Sequence, residues 1–256
     1  MELNFKSFGQ GEPVIILHGM FGTLDNWQTI AKKLAKNYLV YIVDLRNHGR
    51  SPHTEELSYS LMANDVKEFM EENWMFEATV IGHSMGGKVA MQLATEYPDM
   101  VTKLVVVDIA PKKYVGSHQT IFDALFGLDL STLASRNDAD DYLQTKIKNE
   151  GVRQFLLKNL HLDKESGKYA WKMNLQSIFD NYAHILGNSL EGEPYEGETL
   201  FVNGANSDYV KAAELPDYQL FFPNTSLITI EGAGHWVHAE KPKELLAALN
   251  EFIEED

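Results

Sequence analysis

The chain has 256 residues, 44% of them hydrophobic, and contains no cysteine. That length holds one large domain or a core with one sizeable insertion, and the missing cysteines exclude disulfides and thiolate metal sites. A formal net charge of −15 argues against nucleic acid or an anionic membrane surface as partner, because both repel such a chain at long range.

No apolar run approaches the roughly 18–20 residues that span a bilayer. The opening "MELNFKSFGQ" has no basic stretch leading into an apolar one. The expectation is a chain without a secretory signal or membrane anchor, working in the cytoplasm. The sequence leaves its oligomeric state open.

Taken in chain order, apolar β-branched runs recur at "PVIILHG" (13–19), "LVYIVDL" (39–45), "ATVIGHS" (78–84), "KLVVVDI" (103–109), "TLFVNG" (199–204) and "SLITIEGAG" (226–234). Continuous runs of this kind fit strands buried on both faces of a parallel sheet. Helical spacing fills the gaps between the early runs, in "LDNWQTIAKKLAKN", "SLMANDVKEFMEENW" and "MGGKVAMQLATEYP", and returns in "KPKELLAALNEFIEE". Strand–helix alternation implies an α/β fold with a mostly parallel, doubly wound sheet.

The alternation stops after Pro111. Residues 112–197 carry helical patterns, "HQTIFDALFGL", "DADDYLQTKIKN", "VRQFLLKNLHL" and "LQSIFDNYAHIL", with no comparable strand pair. A stretch this long is no plain loop. It reads as a helical cap inserted between two strands of a core formed by 1–111 and 198–256, with "GNSLEGEPYEGE" as the return linker.

"VIGHSMGG" matches G-x-S-x-G through Gly82, Ser84 and Gly86. The pentapeptide alone is a modest signal, but here a strand runs into it and a helix leaves it, which is the context of a nucleophile elbow. Such a turn lifts Ser84 to a helix N-terminus, where free N–H groups favour a developing anion. A serine hydroxyl needs a base, and His235 in "GAGHWVHAEKP" follows the last strand, as this chain order requires. His238 forms an H-x-x-H pair with His235 but lacks a third ligand, so a packing role is expected. The oxyanion needs two N–H donors: Met85, just after the nucleophile, and Met20 in "HGMFG". An acid must orient His235, and two strand ends offer one, Asp108 in "LVVVDIAP" and Asp208 in "VNGANSDYV". By position either can serve.

With these stretches in view, "HGMFGTLDNW", "DLRNHGRSPH", "GHSMGGKVAM", "VDIAP", "EGVRQFLLKNL" and "GAGHWVHAEKP" resemble the α/β-hydrolase superfamily over almost the full chain. The branch they resemble is that of the YbfF-type esterases and the abhydrolase domain-containing protein 11 group. The resemblance implies a carboxylesterase or thioesterase acting on small acyl esters, acyl-coenzyme A among them, through an acyl-enzyme and without a cofactor. It places the acid at Asp108 and a serine at Ser207, where many relatives carry the acid; Asp208 stays the alternative. Ser207 becomes a supporting hydroxyl. Asp44, Arg46 and His48 of "DLRNHGRSP" read as scaffolding.

Phe122, Leu125, Phe126, Phe155, Leu156, Phe179 and Tyr182 recur at helical spacing in the insertion, and a subset is expected to line an acyl pocket. Lys112, Lys113 and Arg153 can meet an anionic leaving group, though solvated surface cations are the plainer reading. A carbon–carbon bond hydrolase or a menaquinone-pathway-type lyase shares Ser and His with this reading. A non-catalytic ligand-binding protein on the same scaffold is the rival of another class. Such relatives usually lose the serine or the histidine, and this chain keeps both.

Overall fold

The computed structural model describes residues 1–187, 190 and 192–254. Its strands are β1 (Phe5–Phe8), β2 (Pro13–Leu17), β3 (Leu39–Val43), β4 (Ala78–His83), β5 (Val101–Val107), β6 (Leu160–Leu162), β7 (Tyr169–Trp171), β8 (Glu198–Gly204) and β9 (Thr225–Ile230). Among the described residues seven of them form one sheet in the order β1-β3-β2-β4-β5-β8-β9. Only β1 runs antiparallel, against β3. This is the α/β-hydrolase fold, a mostly parallel sheet flanked by helices.

Side chains alternate across the sheet with the period of two that strands impose. Val14, Ile16, Val105 and Val107 face a core with α1 (Gln28–Leu34) and the C-terminal helix. Ile15, Leu17, Val80 and Val106 face the opposite core with α2 (Tyr59–Glu72) and α3 (Met85–Glu96). The winding on both faces is thus written in the alternating register of each buried run.

Between β5 and β8 lie α4 (Gln119–Phe126), α5 (Arg136–Lys146), α6 (Glu150–Leu157), α7 (Leu175–Asp180) and α8 (Tyr182–Leu186). After β8 come α9 (Leu215–Tyr218), α10 (Val237–Glu240) and α11 (Pro242–Glu254). Two expectations for the insertion need correction. The run "VRQFLLKNLHL" ends its helix at Leu157, and residues 160–162 pair with 169–171 as an antiparallel hairpin. "LQSIFDNYAHIL" is two helices, because the Asn181 side chain donates to the carbonyls of Ser177 and Glu55 at the break. The return linker falls partly on residues 188, 189 and 191, which lie outside the described residues.

The "RNHGRSP" loop docks this insertion. Asn47 donates to Ser177 Oγ at 3.0 Å, and its carbonyl accepts the Asn174 N–H at 2.8 Å. Arg46 forms a buried ion pair with Asp65, and Asp44 accepts from the N–H groups of Leu24 and Arg50.

A second tie binds the two necks of the insertion to the core. Lys88 on α3 is 2% exposed, and its ammonium donates to Lys112 O at 2.7 Å and to Gly187 O. It lies over the rings of Tyr114, 5.1 Å away, and Tyr59, 5.6 Å away. Tyr59 in turn donates to Ile185 O at 2.6 Å, and the Tyr114 N–H joins neck to neck through Leu186 O at 2.9 Å. Burial pushes the Lys88 pKa down to about 7, so the carbonyls and ring faces are what favour its charged form.

Lys88→Met leaves both carbonyls without this donor, a loss on the order of 1–3 kcal/mol for buried polar groups. Thermal melts should show a lower Tm, and limited proteolysis should cut faster within residues 112–187. An unchanged melt and cutting rate would contradict this anchoring role of Lys88.

Candidate active site

Parallel pairing sets the C-terminal ends of four neighbouring strands level. His83 pairs with Val107, Val107 with Val202, and Gly204 with Ile230. The chain therefore leaves β4 at Ser84, β5 at Asp108, β8 toward Ser207 and β9 toward His235, all on one edge of the sheet. This is the edge where open α/β sheets place their ligands.

Ser84 turns the chain from β4 into α3 with φ 52° and ψ −121°, a conformation that L residues rarely adopt. The turn packs so tightly that a Cβ on Gly86 would lie 2.4 Å from the Leu17 carbonyl oxygen. Glycine there lets α3 start directly beneath the serine. The Ser84 N–H bonds Val107 O at 3.0 Å, which holds the turn against β5.

Asp108 is also in the left-handed region, at φ 50°, and it is 0% exposed. Its Oδ1 accepts the Gly204 N–H at 3.0 Å. Its Oδ2 accepts the Ser207 hydroxyl at 2.5 Å and His235 Nδ1–H at 2.7 Å. Across the ring, His235 Nε2 lies 3.1 Å from Ser84 Oγ. The structure thus brings Ser84, His235, Asp108 and Ser207 into one hydrogen-bonded chain. Asp208 stands outside it, exposed and without a hydrogen bond or ion pair among the described residues.

The glycine-rich loop after β9 can approach because Gly204 lacks a side chain: a Cβ there would sit 2.3 Å from Gly234 O. Two residues that sequence pattern alone does not single out then hold His235. Tyr209 stacks on its ring, centroids 4.1 Å apart, and His83 Nε2–H donates to its carbonyl at 2.8 Å. Tyr209 belongs to the "VNGANSDYV" turn and His83 to the elbow itself, so adjacency to the motif residues is the one sequence signal that marks them.

Met20 and Met85 both line the cavity beside Ser84, and neither backbone N–H has a hydrogen-bond partner among the described residues. The cavity measures about 560 Å³ and is bounded by core and insertion together. Of the aromatic and aliphatic side chains expected to line it, Phe155, Leu156 and Tyr182 do. Phe122 and Leu125 pack inside, while Phe126 and Phe179 remain partly exposed. Arg153 is not a solvated cation: it is 4% exposed, paired with Asp140, and donates to the carbonyls of Ile147 and Lys148. Lys112 pairs with Glu214, and Lys113 is exposed.

His238 is buried and stacks on Trp27, centroids 4.6 Å apart, as a packing residue does. Among the described residues no group of three His, Cys, Asp or Glu side chains could hold a metal ion, and no helix is long and apolar enough to cross a membrane.

Residues 12–242 match the family described as the alpha/beta hydrolase fold. The chain is 39% identical over 243 residues to Esterase YbfF of Escherichia coli (strain K12), spanning 94% of this chain and 92% of that protein. It is 37% identical over 258 residues to the sn-1-specific diacylglycerol lipase ABHD11 of Danio rerio, spanning 98% of this chain and 81% of the relative. A solved structure described as a marine microorganism esterase superposes with a TM-score of 0.95 at 42% identity, covering 98% of this chain and 99% of that one. The chain belongs to the α/β-hydrolase family. Within it, this is an ester-hydrolysing enzyme.

Four histidines around the site are buried and neutral. Loss of water lowers the pKa of His18 to about 4, of His48 and His238 to about 3, and of His83 well below its usual value. Each binds a proton in the unfolded chain near pH 6.5 that the folded chain refuses. Stability from these groups is complete above pH 6.5 and is lost as pH falls toward their folded values. The slope approaches about 1.4 kcal/mol per pH unit for each group. Urea midpoints measured from pH 7 to pH 4.5 should fall steeply, and a flat profile would contradict the neutral burial.

Proposed function

We propose that the protein is a serine carboxylesterase working through an acyl-enzyme, with Ser84 as nucleophile, His235 as base and Asp108 as the orienting acid. The observation that carries this reading is the unbroken path from Ser84 Oγ through the His235 ring to the buried Asp108 carboxylate.

The Asp108 carboxylate can only accept, so His235 holds its proton on Nδ1 and turns the lone pair of Nε2 toward Ser84. As Ser84 Oγ bonds the acyl carbon, His235 takes its proton, and the imidazolium is stabilised by Asp108. The Met20 and Met85 N–H groups receive the oxyanion at the start of α3. Collapse breaks the bond to the leaving group, which departs with the proton from His235. Water then gives its proton to His235 and attacks the acyl carbon, and Ser84 leaves reprotonated. Ser207, donating to Asp108, fixes the carboxylate against rotation.

Residues 112–197 act in this reading as a helical cap over a core of 1–111 and 198–256. The cavity volume suits a small acyl group, and its lining is mostly apolar. The same chemistry cleaves a thioester. Among the described residues no lysine or arginine lines the cavity to meet the phosphates of coenzyme A, so oxygen esters are the preferred substrate class.

Hydrolysis of p-nitrophenyl butyrate and labelling by a fluorophosphonate probe test the assignment. Ser84→Ala should abolish both. Asp108→Asn should lower kcat by about 10³ to 10⁴, as loss of the orienting acid does in a serine triad, and far more than Asp208→Asn. Hydrolysis that survives Ser84→Ala, or the reverse ranking of the two aspartates, would overturn these catalytic roles; a protein that the probe leaves unlabelled would favour a non-catalytic binder.

A further inference from the structure

The cavity lining contains no lysine or arginine among the described residues, and its one carboxylate is Asp208. That carboxylate is exposed, and among the described residues it has no hydrogen bond and no cation paired to it. Of the cations expected nearby, Lys112 is engaged on Glu214 and Arg153 on Asp140, while Lys113 is exposed and does not line the cavity.

Lys88 stands behind the Tyr59 and Tyr114 rings, held on the Lys112 and Gly187 carbonyls, and does not itself line the cavity. His118 lines the cavity, but its Nδ1 lies 2.6 Å from the Tyr182 hydroxyl. That hydroxyl already accepts the N–H groups of Ser117 and His118, so its own proton points to Nδ1. His118 is therefore a neutral imidazole with Nδ1 as acceptor, and burial lowers its pKa to about 4 in keeping with that state. His83, buried beside Ser84, is neutral as well.

The cavity that Asp208 lines has a largely aromatic wall, with Tyr182, Tyr209, Phe155 and Trp236. Ring faces attract cations and give nothing to an anion. A lone carboxylate, a neutral imidazole and several ring faces together make a site with negative potential and an apolar body.

We propose that Asp208 sets the charge selectivity of this esterase, so that esters with a cationic leaving group are favoured over neutral ones and anionic ones are disfavoured. The proposal deepens the ester-hydrolysis reading and rests on it. Asp208 then acts on the incoming ester through its charge, taking no part in bond breaking.

Three butyrate esters of similar shape isolate the effect: butyrylcholine, its neutral carbon isostere 3,3-dimethylbutyl butyrate, and 2-sulfoethyl butyrate. For charges several ångströms apart at the mouth of a wet cavity, kcat/KM should change by about threefold to tenfold on each side of the neutral ester. The cation-to-anion ratio should therefore be on the order of ten to a hundred. It should shrink in 0.5 M NaCl, since salt screens an exposed charge (the Debye length falls below about 10 Å). Asp208→Asn should reduce the ratio to within a few-fold of unity, and Asp208→Lys should invert it, with fluorophosphonate labelling as the check that Ser84 is still presented. An anionic ester cleaved as well as the cationic one, or a ratio unmoved by Asp208→Asn, would overturn the proposal. If none of the three esters is cleaved and p-nitrophenyl butyrate is not cleaved either, the serine-esterase reading fails first and takes the selectivity with it. If p-nitrophenyl butyrate is cleaved while all three of these esters are refused, the selectivity proposal alone is overturned.

Discussion

A carboxylate cut off from water holds this site together. Asp108 is wholly buried, and a buried charge is tolerated only when hydrogen bonds replace its hydration. It finds them on three separate pieces of chain: the end of β8 through Gly204, the following turn through Ser207, and the loop after β9 through His235. Each bond that satisfies the charge also fixes an element. The level strand ends bring these donors within reach, and the absent Cβ of Gly204 lets the last loop close over them.

Part of the cavity wall rests on a buried lysine. Lys88, one helical turn past Ser84, gathers the carbonyls at both necks of the insertion and lies against two tyrosine rings. Tyr59 and Tyr114 also line the cavity, so the same contacts that anchor the insertion shape the space above the serine. Buried and exposed charges thus do different work in this molecule. Asp108 and Lys88 organise structure from within, while Asp208 faces the cavity unpaired among the described residues.

The central parallel strands were legible because each carries an apolar run with β-branched residues, and the elbow because its glycines bracket a serine between strand and helix. Strand β9, read as buried on both faces, is instead an edge strand with Ser226 and Thr229 exposed. The hairpin of β6 and β7 was not, since three-residue strands are too short to show a period of two. Edge strand β1 escaped for the same reason, with exposed residues along "FKSF". The break at Asn181 depends on a carbonyl of residue 55, a contact that no local pattern encodes. The aspartate that meets His235 is the instructive case. Residue types alone left Asp108 and Asp208 open, because adjacent strand ends both reach the histidine in principle. The geometry separates them by burial and by the left-handed backbone at Asp108, neither of which is a property of sequence. Arg153 shows the converse, a charged side chain on an amphipathic helix that folds inward onto Asp140 and two carbonyls.

Everything at this site turns on whether Asp108 holds the Nδ1 proton of His235, and proton NMR of the resting enzyme reads that proton directly. A far-downfield imidazole N–H resonance is expected, persisting in Asp208→Asn and disappearing in Asp108→Asn. A resonance that survives Asp108→Asn, or one that is lost in Asp208→Asn, would contradict the assignment.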